Sequence, residues 1–229
     1  MVVFNHLIYA DMAIMAPSAN ALQVLLNHCD EYARCHDIIY NVKKTVCMCI
    51  RPKKFRCDLN IDIRLSGNVL KYVSTCKYLG VFISNDRKDD LDVRNQTRNL
   101  YSRGNIIIRN FSKCSEQVKC HLFSSFCTSF YCAPLWHHCT IESLRRMKVA
   151  YNRIFRILLG LEYRISMSNA FVTRGLNPFI VIVRKLIVSL RKRLLNSENT
   201  LVKTIVDSLY FVNCKLVEKW TKIIFNLRN

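Results

Sequence analysis

Apolar residues settle into a single spacing beyond Asp86, and the change there limits what this chain can fold into. Leu59, Ile61, Ile63 and Leu65 alternate with polar neighbours, the period-two pattern of strands with one buried face. Beyond Asp86 the apolar residues recur every three or four positions, as in Leu144, Met147, Ala150, Tyr151, Ile154, Leu158 and Leu161, the period of an amphipathic helix. A chain of 229 residues in this order is expected to be α+β, with strands first and a mostly helical remainder.

Taken in order, Val2–Ile8 and Met12–Ala16 are two short apolar runs that meet at one acid, a hairpin with Asp11 at its tip. Pro17 and Ser18 close it. Ser18 is placed to cap a helix over Ala19–Cys35, whose apolar face is Ala19, Leu22, Leu25, Leu26, Cys29 and Ala33. Strands are expected at Asp37–Asn41, Val46–Ile50, Leu59–Leu65, Val69–Tyr72 and Lys77–Ser84, the last three forming a meander turned by Ser66-Gly67-Asn68. The acidic run Asp86–Asp92 lacks the glycine and final glutamate of a calcium loop, so its acids mark a helix N-terminus. Helices are expected over Leu91–Phe111, Glu116–Cys132, Ile141–Leu161, Phe179–Leu195 and Leu201–Leu227.

Charge points to a polyanionic partner. The chain carries 35 Lys+Arg against 16 Asp+Glu, a net +19, and the stretch from Thr140 to the C-terminus holds 17 of those cations against 5 acids. A broad basic face neutralises phosphates, so nucleic acid is the expected partner. Twelve cysteines without a signal-peptide pattern read as reduced intracellular thiols, in the nucleus or the cytoplasm. Cys47 and Cys49, Cys127 and Cys132, and His137-His138-Cys139 lack the paired half-sites of zinc ligands. No apolar run approaches the roughly 20 residues that span a bilayer, so no membrane partner is expected. Hydrolase triads, Cys/His dyads and glycine-rich phosphate loops are missing from the sequence.

The stretch His6-Leu7-Ile8-Tyr9-Ala10-Asp11 followed by Ala16-Pro17-Ser18 resembles the Tyr-Ala-Asp-Asp box of reverse transcriptases, in the form found in non-LTR (LINE-type) retrotransposons. Further motifs of that family follow in the same order: Asn41–Thr45, then Tyr78-Leu79-Gly80, then Ser102-Arg103-Gly104-Asn105 with Arg109-Asn110-Phe111-Ser112. The resemblance covers about residues 2–195 and implies a partial polymerase palm over 1–85 (β-hairpin, helix, strands), thumb-like helices over 86–139 and a basic helical C-terminal region over 140–229. It implies that Asp11 holds catalytic magnesium and that Lys44 helps neutralise departing pyrophosphate. It likewise implies that Tyr78, Leu79 and Gly80 grip the primer end of a duplex of RNA template and DNA primer, and Arg94, Arg98, Arg103 and Arg109, which recur at near-helical spacing, are the candidates to contact that duplex.

One departure governs the expected activity. The box keeps Asp11 and lacks the second aspartate, so Met12 follows directly. Two-metal nucleotidyl transfer needs at least two carboxylates held together. A one-residue deletion at a hairpin tip also reverses the faces of the residues after it. With the upstream palm and fingers also missing from this sequence, the expectation is a chain of reverse-transcriptase lineage that does not polymerise DNA alone. The alternatives are a non-catalytic nucleic-acid-binding protein and a truncated relic without independent function.

Overall fold

Ser18 starts the first helix, its hydroxyl accepting a hydrogen bond from the Ala21 amide at 3.2 Å. The computed structural model describes residues 12–50 and 61–225, and the chain divides into two units, Met1–Lys88 and Asp89–Asn229. Asp11 and Leu59 lie outside the described residues.

In the first unit, helix α1 (Ala19–Cys35) buries Leu26 and Ala33. It meets a short hairpin, β2 (Arg64–Leu65) and β3 (Asn68–Val69), through two polar side chains. The Gln23 amide pairs with the Arg64 backbone in both directions, donating at 2.9 Å and accepting at 2.8 Å, as a neighbouring strand would. Two turns further along, the Asp30 carboxylate accepts from both the amide and the hydroxyl of Ser66, each at 2.8 Å. Leu26, Cys47, Ile63, Leu65 and Leu70 form the small core behind these contacts.

The strands are shorter than their sequence pattern implies. Strand β1 (Val46–Cys47) runs parallel to β4 (Lys71–Tyr72), while β5 (Thr75–Tyr78) and β6 (Val81–Ser84) form a separate antiparallel pair. The expected meander is therefore replaced by three two-stranded pairs among the described residues. Asp37–Asn41 is not a strand: Asp37 turns the chain at φ 52° and Ile39 is 94% exposed, so its apolar side chain has nothing to pack on. Lys77–Ser84 is a hairpin rather than one strand, because Leu79 (φ 46°) and Gly80 (φ 85°) both take the left-handed conformation of a two-residue hairpin turn. Ser66 (φ 50°) and Gly67 (φ 75°) turn the β2–β3 hairpin in the same way.

The second unit is helical: α2 (Asp90–Asn110), α3 (Glu116–Cys127), a 3₁₀ turn (Ala133–Leu135), α4 (Ile141–Leu159), α5 (Met167–Val172), α6 (Phe179–Leu195), α7 (Thr200–Val206), α8 (Leu209–Val212) and α9 (Lys215–Phe225). Helix α4 begins at Thr140, whose hydroxyl accepts from Ser143 N at 3.2 Å. It ends at Gly160, whose φ of 62° lets Leu161 N reach Arg156 O at 3.0 Å. Helix α3 ends at Cys127, short of the expected Cys132. The single helix expected over Leu201–Leu227 is broken into three: Asn199 caps the first piece, and Ser208 caps a second by accepting from Phe211 N. No helix among the described residues is long and apolar enough to cross a membrane.

Aromatic rings fill the core of this unit. Phe123 of α3 sits 4.9 Å from Tyr151 and 4.8 Å from Phe155 of α4, centroid to centroid. Phe171 of α5 stacks on both, at 5.2 and 4.3 Å. The Tyr151 hydroxyl donates to Asn177 O at 2.9 Å, and burial pushes its pKa up. Helices α2 and α4 approach closely at Gly104, where an added Cβ would lie 2.5 Å from Ile154 Cγ2. Gly104→Ala is expected to destabilise the protein by about 1–3 kcal/mol through overpacking. Combining it with Ile154→Ala should cost less than the sum of the two single changes, as read by denaturant unfolding.

Candidate nucleic-acid interface

The acids at the start of α2 hold the frame that displays the cations. Asp89 accepts from His138 N at 2.6 Å. Asp90 accepts from the amide and hydroxyl of Thr140, at 2.9 and 2.8 Å, and from the Ser143 hydroxyl. Asp92 is buried and accepts from the Trp136 indole at 2.8 Å. These carboxylates tie the first turn of α2 to the segment that leads into α4. Sequence reading places them at a helix N-terminus; their long-range partners carry no local signal.

Helix α2 separates its arginines into two groups. At about 100° per residue, Arg94, Arg98 and Arg109 fall within about 60° of one another around the axis, along about 22 Å of helix. All three are exposed. Arg103 falls on the opposite side. Its Nη2 donates to Ser129 O at 3.2 Å and its Nε is buried without a hydrogen-bond partner. The expected group of four is therefore three displayed guanidiniums and one that ties α2 to the loop after α3.

Helix α4 carries a second basic face. Arg145, Arg146, Lys148 and Arg153 are exposed, opposite or flanking the face of buried Met147, Ala150, Tyr151, Ile154, Phe155 and Leu158. Arg156 is partly withdrawn, with its guanidinium 5.1 Å from the Tyr163 ring centroid and Nη2 donating to Ile165 O at 3.3 Å. Glu142 holds two of the displayed cations, accepting from Arg145 Nε at 2.6 Å and Arg146 Nε at 2.9 Å. Those hydrogen bonds lower its pKa to about 2. The spacing of three and four residues makes this clamp legible in the sequence.

The other expected site residues belong to the first unit. Lys44 is exposed on a turn closed by its own amide, which donates to Asn41 O at 3.1 Å. Tyr78 ends β5 and pairs with Val81, leaving Leu79 and Gly80 exposed at the hairpin tip. No group of three His, Cys, Asp or Glu able to hold a metal ion occurs among the described residues. Asp89, Asp90 and Asp92 are engaged as hydrogen-bond acceptors within the fold, so their arrangement does not fit a magnesium site. No family model, curated protein or solved structure matches this chain.

Glu142→Gln is expected to release Arg145 and Arg146, raising affinity for an RNA–DNA duplex and steepening the slope of log K against log salt by up to about 1. The carboxyl's lowered pKa means that the clamp is fully formed above the ordinary glutamate value of about 4.3 and is lost as pH falls towards 2. An NMR titration of the Glu142 side chain checks the direction.

Proposed function

We propose that this chain is of non-LTR reverse-transcriptase lineage and that its present activity is binding nucleic acid through its helical unit. The observation that carries the binding assignment is the display of Arg94, Arg98 and Arg109 on α2 and of Arg145, Arg146, Lys148 and Arg153 on α4, all exposed around one apolar core. Guanidinium groups on regular helices suit phosphate oxygens, which fix register without reading bases. The lineage rests on the order of the motifs at Tyr9–Asp11, Asn41–Thr45 and Tyr78–Gly80. In this reading the palm-like part lies in the first unit and the thumb-like part begins in the second.

Polymerisation is not part of the proposed activity. The box holds one carboxylate where two-metal catalysis calls for a pair. Lys44 and the Tyr78–Gly80 tip have no catalytic role in this reading.

Binding of a labelled RNA–DNA primer–template tests the assignment. Alanine at Arg94, Arg98 and Arg109 together should weaken binding at least about tenfold at low salt, while Arg103→Ala should lower thermal stability and leave affinity nearly unchanged. Equal losses from the two variants would contradict it. Primer extension by the purified chain, abolished by Asp11→Ala, would overturn the non-polymerising reading.

A further inference from the structure

Lys219 of α9 meets Cys139 where that helix docks on the segment between the 3₁₀ turn and α4. Its Nζ lies 3.2 Å from Cys139 Sγ, and 3.4 Å from the carbonyl oxygens of His137 and Cys139. Both sides of the contact are pinned. The neighbours of Cys139 are held by α2 and the residue before it, His138 N by Asp89 at 2.6 Å and Thr140 N by Asp90 at 2.9 Å. On α9, Trp220 donates to Pro134 O at 2.6 Å, and Ile223 O accepts from Arg184 Nε at 2.8 Å. Fixed neighbours give two reacting atoms a high effective concentration.

From this geometry we propose that Cys139 and Lys219 form a reversible covalent crosslink under oxidation by a hydroperoxide. The thiol takes one oxygen from the peroxide, giving a sulfenic acid and releasing water. The Lys219 nitrogen then attacks that sulfur; an S–N bond forms, the S–O bond breaks, and water and a proton leave. Two thiol-derived electrons reduce one peroxide, so no other oxidant is needed. A thiol reductant reopens the S–N bond. The crosslink would fasten α9 covalently to the segment that α2 already holds. Burial pushes the Cys139 thiol pKa up, Asp89 and Asp90 add to the rise, and the Lys219 ammonium opposes it without reversing it.

Treating the full chain with hydrogen peroxide, followed by digestion and mass spectrometry without reduction, tests the proposal. The expected product joins the peptides of Cys139 and Lys219, weighs two hydrogens less than their sum, and disappears on reduction. Cys139→Ser and Lys219→Arg should both lack it, the arginine variant keeping the positive charge and the melting temperature. Recovery of Cys139 unmodified, over-oxidised or disulfide-bonded without the joined peptide would overturn the proposal, as would the same product in Lys219→Arg.

Discussion

The hydrogen bond from the Trp136 indole to the buried Asp92 carboxylate is the contact on which the helical unit depends. A carboxylate taken out of water is costly unless charge-assisted hydrogen bonds replace its hydration. Asp92 sits in the first turn of α2, where the helix dipole also favours negative charge. Asp89 and Asp90 extend the arrangement to His138, Thr140 and Ser143, so the start of α4 is set by the start of α2.

That placement decides which cations face solvent. With α2 and α4 brought together at Gly104 and Ile154, each helix turns its apolar stripe inward and most of its arginines outward. Arg103 is the exception that follows from the same geometry, since its position around α2 points it towards Ser129 O. Glu142 moderates the outward charge on α4 without removing it.

Local signals made much of this legible in the sequence. Ser18 marks a helix start by chemistry confined to a few residues, and α1 and α6 have the bounds that their apolar spacing implies. Contacts that join distant residues were not legible: Trp136 lies 44 positions from Asp92, and Gln23 lies 41 from Arg64. The same limit explains where the local pattern and the fold part. Alternation suggested a continuous strand through Leu79 and Gly80, where positive φ angles form a turn, and apolar spacing suggested one C-terminal helix where Ser208 caps a separate one. Periodicity also grouped Arg103 with Arg94, Arg98 and Arg109, although its angular position opposes them.

The measurement that tests the central claim most directly is the affinity of the full chain for an RNA–DNA duplex across a series of salt concentrations. Phosphate binding by the displayed cations predicts a linear fall of log K with log salt, with a slope between about −3 and −6. Affinity that does not change with salt, or no binding at low salt, would contradict the account.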